Sequence, residues 1–361
     1  MNRSLSADRR RLSALRVAAQ GLGTPSLASA AEVVRHLTAM QAQDFGGAKW
    51  AIALRTPTLT ESDVDAAIAA REIVRSWPMR GTLHFTAAED LGWMLQLTGE
   101  RTIRSAAGRH RRLGLDATHF ALARGTAESL LSGGRVVGRA ELLRAFAEQS
   151  LDVTENRGNH LLQYLSASGI LVFGPPDGRS QTFALLEEWV TSPRLLGREE
   201  ALAEWALRYF TGHGPATVRD FAWWSSLTLT DARRGLAAVE SRLESIDVAG
   251  TSYLHAAGLE PAAPTVLALP GFDEYVLGYQ DRSAQLAPEF ASAIVPGGNG
   301  MFLPTIVVDG EICGTWRRVV TARRVSVEPV LFRALPQRAI KGFAAAAARY
   351  GGYLNRTASI I

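Results

Sequence analysis

The chain reads as an α+β protein: three tandem winged-helix modules, each a helix-turn-helix with a β-hairpin wing, followed by a β-rich C-terminal domain. Three observations predict this. Helical apolar spacing followed by a hairpin signal occurs three times. The units recur about every 70–80 residues, longer than the roughly 20–50-residue period of a solenoid. From about Pro264 the texture shifts to short β-rich stretches broken by Gly and Pro. The boundaries this places are 1–115, 116–192, 193–260 and 261–361, the last ending in a closing helix.

In the first module, Ser29-Ala30-Ala31-Glu32 is a capping box that opens a helix. Val33, Leu37, Met40 and Gln41 continue it at helical spacing, and Gly46-Gly47 is the expected stop. Thr60 with Asp63 caps a further helix to about Arg71. Ile73–Trp77 and Gly81–Phe85 read as strands joined across Pro78-Met79-Arg80.

The second module has helices near Ala117–Ser132, Arg139–Glu148 and Asn159–Ser168. Its hairpin sets Ile170–Phe173 against Gln181–Ala184, with Gly174-Pro175-Pro176-Asp177-Gly178 as the turn. The third places helices at Glu199–Phe210, Val218–Ser225 and Asp231–Ser241, with Thr217 and Thr230 as N-caps. Ile246–Val248 and Ser252–His255 form its wing. In the C-terminal part, Thr265–Leu269, Thr305–Val308, Ile312–Arg317 and Arg324–Leu331 are strands of a small barrel or sheet. A helix from Pro336 to about Tyr350 closes the chain, and Thr357–Ile361 reads as a frayed tail.

Composition narrows the function. The 361 residues carry 39 basic and 35 acidic side chains, net +4, with a sequence pI near 9.5. That balance favours a polyanionic partner. Mean hydropathy is +0.02, and no apolar run approaches the roughly 18 residues that span a bilayer. The basic N-terminus lacks the apolar stretch of a secretory signal, so the expected compartment is the cytoplasm. A single cysteine, Cys313, excludes an internal disulfide and all-cysteine metal sites. The seven histidines form no His-Glu-x-x-His pair, and no phosphate-binding Gly-rich loop with Lys is present. Zinc deamination lacks its Pro-Cys-x-x-Cys ligands. No metal and no cofactor is expected.

Only Lys49 and Lys341 are lysines. A Schiff-base mechanism needs an amine in the site, and neither lysine lies in a recognisable motif.

The tripeptide Gln41-Ala42-Gln43 places two neutral amides close together. An amide is no general base near neutral pH, but it can orient water and offer a carbonyl oxygen to a developing cation. That suffices where the leaving group already carries positive charge, as in a purine alkylated at N7. A neutral base requires a carboxylate or a general acid. Residues two apart on a helix point about 200° apart, so both amides reach one site only if the helix ends between them. On the residues alone, a helix-capping Gln41 with a solvated Gln43 is the simpler account. Arg101, Arg104, Arg109, His110, Arg111 and Arg112 lie in one helical stretch and its exit. A duplex would reward such a cluster through counterion release; a solvated face accounts for it as well.

The phrases Met40-Gln41-Ala42-Gln43-Asp44, Arg75-Ser76-Trp77-Pro78-Met79-Arg80-Gly81-Thr82-Leu83-His84, Ala222-Trp223-Trp224-Ser225, Gly271-Phe272-Asp273-Glu274-Tyr275 and Gly314-Thr315-Trp316-Arg317-Arg318 carry a resemblance. Over nearly its whole length the chain resembles the winged-helix DNA glycosylases of the AlkZ type, with AlkX (YcaQ) more distant. The resemblance implies a C-shaped, DNA-embracing arrangement and a catalytic Gln–apolar–Gln motif, here Gln41 and Gln43 about Ala42. It implies excision of bulky N7-alkylguanines and unhooking of interstrand crosslinks, in some members as self-resistance to a DNA-alkylating antibiotic. The expected partner is double-stranded DNA with an alkylated purine, bound by a monomer. Candidate DNA contacts are Arg80, His84, Arg109, Arg111, Arg112 and Arg317. For Arg80 and His84 a buried structural role stands beside that reading, and for Arg317 and Arg318 a solvated strand face does. Asp44 is expected at a helix exit or as an acceptor behind the motif. Trp77, Trp223 and Trp224 are expected in the core, and Asp273 and Glu274 as structural groups. The competing class is a non-enzymatic winged-helix regulator; a member that binds lesions without excising them is a third.

Overall fold

A computed structural model describes residues 7–361. The first six residues, part of the basic N-terminal stretch discussed above, lie outside the described residues. The mixed α+β class is observed, in two compact units. One combines the chain through Val64 with Leu202–Ile361; the other is Asp65–Ala201.

In the Asp65–Ala201 unit the first hairpin pairs Ile73–Met79 with Thr82–Ala87. Its strands run longer than expected and the turn is tighter. Arg80 and Gly81 both take positive φ, 55° and 66°, the conformation of a two-residue turn whose twist matches the strands. The second hairpin pairs Leu171–Phe173 with Thr182–Leu185. Arg75 opposite Phe173 joins the two hairpins, so the wings expected of separate modules share one sheet. Within the unit the strand order is Thr82–Ala87, Ile73–Met79, Leu171–Phe173, Thr182–Leu185, Val137–Gly138. Helices Ala117–Leu131, Arg139–Glu148 and Arg157–Ala167 lie within a residue or two of their expected positions. Phe120, Phe146, Leu161, Phe173 and Phe183 fill the core between helices and sheet.

Two histidines sit in that core's margin. The rings of His110 and His160 meet edge to face at 5.3 Å, with Phe120 5.0 Å from His110. Burial depresses both pKa values below 6.5; the charge of His160 adds to the effect at His110, and that of Arg109 at His160. A depressed histidine stays neutral in the fold while the unfolded chain takes up the proton. Stability is therefore expected to fall as pH drops below 6.5 and toward the folded pKa. Urea midpoints at pH 7.5 and 5.5 check this, and a His110→Gln, His160→Gln variant should lose less between the two.

The other unit is built on a five-stranded sheet in the order Thr357–Ile360, Arg324–Leu331, Glu311–Val320, Thr305–Val308, Val266–Leu269. All neighbours are antiparallel except the first pair. The four expected strands are present, and the tail expected to fray is instead the edge strand. The helix Gln337–Tyr353 covers the sheet, and Trp50, Tyr275, Ile306, Trp316, Phe343 and Tyr350 lie in the core beneath it. Trp50 donates its indole N–H to Ala268 O at 2.9 Å, which pins the Phe45–Ala53 helix to the edge strand Val266–Leu269, and Trp316 donates to Leu269 O at 2.8 Å.

Residues from Leu202 onward of helix Arg198–His213 belong to this unit, followed by Val218–Ser225 and Leu229–Ala237. Thr217 and Asp220 form a reciprocal capping box, and Thr228, rather than Thr230, caps the third helix. The hairpin Leu243–Val248 with Thr251–Ala256 follows. A helix at Ala7–Ala19, which apolar spacing alone did not reveal, adds Leu12, Leu15 and Val17 to the interior. No helix among the described residues is long and apolar enough to cross a membrane.

Candidate active site

Gln41 ends a short strand and Gln43 lies in the bend that follows it, which corrects the expected helix terminus. Helix Ala30–Leu37 starts as expected: Ser29 Oγ accepts from Glu32 N–H at 3.1 Å, and Glu32 reaches back to Ala28 N–H at 2.8 Å. It stops earlier than the apolar spacing suggests, because Thr38 takes φ 66°, ψ −48° and leaves the helical path. A β-branched residue at positive φ is strained, and Thr38 is fully buried. Ala39–Gln41 then forms a strand, and extended Asp44 caps the next helix, Phe45–Ala53.

The strand ends at Gln41 and Gln43 follows in a bend, so the two amides do not stand on one helix and the angular conflict a helix would pose does not arise. Ala42 is fully buried, Gln41 half-buried and Gln43 exposed. The apolar middle residue is buried, while Gln43 is open to solvent and Gln41 partly so.

Gly46-Gly47 does not end a helix either. Both lie in the first turn of Phe45–Ala53, whose N-cap is Asp44; Gly47 N–H donates to Asp44 Oδ1 at 3.0 Å. Asp44 therefore stands at a helix entry rather than an exit, and Arg318 Nη2 lies 3.3 Å from its other oxygen. A Cβ on Gly47 would sit 2.5 Å from Asp44 Oδ2 and 3.3 Å from Pro270 Cβ. Gly47→Ala is expected to displace the cap and lower stability by about 1 kcal/mol, the usual value of such a cap. A urea titration measures it.

Beneath the motif lies a buried polar network. Glu274 Oε1 accepts from Gln41 N–H at 3.0 Å; Oε2 accepts from Trp224 Nε1–H at 2.7 Å and lies 3.3 Å from His213 Nε2. Next along the chain, Asp273 takes a two-pronged ion pair from Arg55 at 2.9 and 3.0 Å, both side chains fully buried. Gln20 accepts from Arg55 Nη2 at 2.8 Å and donates to Glu274 O at 3.1 Å. Arg16 stacks 3.7 Å above the Tyr279 ring and donates to Gln285 Oε1 at 2.6 Å. Burial drives the hydroxyl pKa values of Tyr209, Tyr275 and Tyr279 upward, so they remain neutral donors. Asp273 and Glu274, expected as structural groups, are both buried and fully engaged in this network. The contact of Glu274 with the motif, 233 residues away, had no local signal in the sequence.

The remaining candidates divide between the units. Gln41, Gln43 and Arg317 belong to the larger one; Arg80, His84, Arg109, Arg111 and Arg112 belong to Asp65–Ala201. Arg80 and His84 come together at the hairpin turn: Arg80 Nη2 donates to His84 Nε2 at 2.9 Å, and His84 Nδ1 donates to Thr82 O at 2.9 Å. Those partners fix the neutral tautomer, and His84 is fully buried. Arg109, Arg111 and Arg112 are exposed in the last turn of Leu91–Arg112, and Arg317 is exposed opposite Glu328 on its strand pair. Trp77 and Trp224 are buried; Trp223 is half-buried, with the Arg282 guanidinium 5.4 Å from its ring. Lys49 is buried and paired with Glu61 at 3.0 Å. Among the described residues, no three His, Cys, Asp or Glu side chains cluster as metal ligands.

A family model for AlkZ-like DNA glycosylases matches residues 34–353. A relative from Streptomyces sahachiroi, an interstrand DNA cross-link repair glycosylase, is 29% identical over 368 residues, covering 96% of this chain and 98% of the relative. The solved structure of the Streptomyces sahachiroi DNA glycosylase AlkZ shares the fold, with TM-score 0.82 and 24% identity over 99% of this chain and 100% of that one. The class is thus a DNA glycosylase, an enzyme rather than a regulator. The chain belongs to the AlkZ-like DNA glycosylase family.

Proposed function

We propose that this protein hydrolyses the N-glycosidic bond of N7-alkylated purines in duplex DNA, with Gln41 and Gln43 at the reacting centre. The observation that supports the reading is a short strand ending at Gln41, whose backbone N–H is held by buried Glu274, with exposed Gln43 two residues on. The two carbonyl oxygens stabilise cationic character on the deoxyribose and hold the attacking water as the base departs. The alkylated base leaves without a proton donor because it is already positively charged. Bulky adducts and interstrand crosslinks fall within this chemistry, since nothing in it requires the lesion to enter a closed pocket; the relative named for cross-link repair supports that extension. Self-resistance to a DNA-alkylating natural product is the corresponding physiological role.

The enzyme is monofunctional. Buried Lys49 is held by Glu61, and Lys341 lies on an exposed face of the covering helix. Arg80, Arg109, Arg111, Arg112 and Arg317 contact the duplex, the exposed arginines through phosphates, while buried His84, proposed from the sequence as a contact, holds Arg80 from behind. The proposed organisation is three winged-helix modules bounded at 1–115, 116–192 and 193–260, with a β-rich domain over 261–361. The protein acts as a monomer in the cytoplasm and needs no cofactor.

The test is a duplex carrying one N7-methylguanine, incubated with purified protein and treated with alkali. Strand scission only after alkali is expected. No scission on methylated, bulky or crosslinked duplexes would defeat the proposal, and scission without alkali would defeat its monofunctional part.

A further inference from the structure

We infer that Glu274 is a positioning residue for base excision, setting the direction of the motif amides through the Gln41 backbone. The inference rests on the proposed role of Gln41 and Gln43. Two N–H groups donate to the two side-chain oxygens, Gln41 N at 3.0 Å and Trp224 Nε1 at 2.7 Å, and His213 Nε2 lies 3.3 Å from the second. A carboxylate offers an acceptor oxygen to each of these two donors. An amide of the same shape cannot, because its NH2 group must face one of those donors.

Glu274 is itself held on every side. Asp273 caps the short helix Glu274–Leu277 and is clamped by Arg55, while Gln20 donates to the Glu274 carbonyl. Tyr209 binds Gly278 O at 2.7 Å just beyond that helix. The carboxylate is thus a fixed point with 1% exposure, and the strand end is tied to it.

Stability alone is a poor explanation for this arrangement. A buried charge gains little over apolar packing of equal volume. What it supplies is direction: the Gln41 N–H vector fixes the peptide plane, and with buried Ala42 it fixes which way both amides leave the chain. Strained Thr38 precedes the segment, so the strand is defined at one end by a backbone break and at the other by this bond. Misplacement of a reacting group by about 1 Å costs on the order of 10²-fold in rate.

The test is E274Q, assayed under single turnover on a duplex with one N7-methylguanine, alongside its affinity for the same duplex and its melting temperature. The expected result is an excision rate constant lowered by about 10²-fold with duplex affinity unchanged. E274D, still acceptor-only but shorter by one methylene, should recover part of the rate. If E274Q does not fold, E274D alone carries the test, with a reduced rate and unchanged affinity expected. F343L, a core substitution under the covering helix, controls for lost stability: its melting temperature should fall with no change in rate constant per folded molecule. A wild-type rate in the Glu274 variants overturns the inference, as does a loss that only follows melting temperature. Gln41→Ala separates the two readings. If it is inactive while E274Q is normal, positioning fails and the site stands; if it is fully active, the site itself fails.

Discussion

Gln41→Ala and Gln43→Ala are each expected to lower the excision rate constant by about 10²–10³-fold, the usual effect of deleting one preorganised dipole aimed at transition-state charge. Duplex affinity should be little changed, since phosphate contacts supply most of it. The two losses should not multiply. Both amides act on one sugar and one water, and groups that act as a unit give non-additive losses. Single-turnover assays of the two variants and their combination check this. Stability should hold in both variants, because Gln43 is exposed and Gln41 is tied down through its backbone N–H rather than its side chain alone.

The second large effect concerns folding. Arg55 and Asp273 form a bidentate pair with both side chains fully buried. Removing one partner leaves an uncompensated charge in the core, which typically costs about 3–5 kcal/mol. Arg55→Met and Asp273→Asn are each expected to destabilise by that amount in urea titrations. The double variant Arg55→Met, Asp273→Leu should recover much of the loss, because apolar packing of similar volume can replace a buried pair. If the single variants cost under about 1 kcal/mol, the value of an exposed pair, the network does not support the motif as described.

Much of the local structure is legible along the chain. The helices Ala117–Leu131, Arg139–Glu148 and Val218–Ser225, the Thr217 cap and the strands Thr305–Val308 and Arg324–Leu331 all follow from apolar period, capping residues and β-branched runs. The motif itself was also visible, but its geometry was not. Met40 and Gln41 continue the helical period of Val33 and Leu37, so periodicity carries the helix through the point where Thr38 ends it. Gly46-Gly47 looks like a terminator, yet Gly47 is needed because the Asp44 cap leaves no room for a Cβ. The links from Gln41 to Glu274 and from Arg55 to Asp273 span 233 and 218 residues. No local rule connects such positions; only the packing of the N-terminal segment with Leu202–Ile361 in one unit does so. Fusion of the two hairpins through Arg75 and Phe173 was hidden for the same reason.

The central claim is that two neutral amides suffice because the departing base carries its own charge. It is tested most directly by comparing, in one duplex sequence, a single N7-methylguanine with a single uncharged lesion, uracil, at the same position. The account predicts alkali-revealed scission of the first by wild-type protein, none by the Gln41→Ala, Gln43→Ala double variant, and none of the second by either. Uracil excision at a comparable rate, or undiminished N7-methylguanine excision by the double variant, would contradict it.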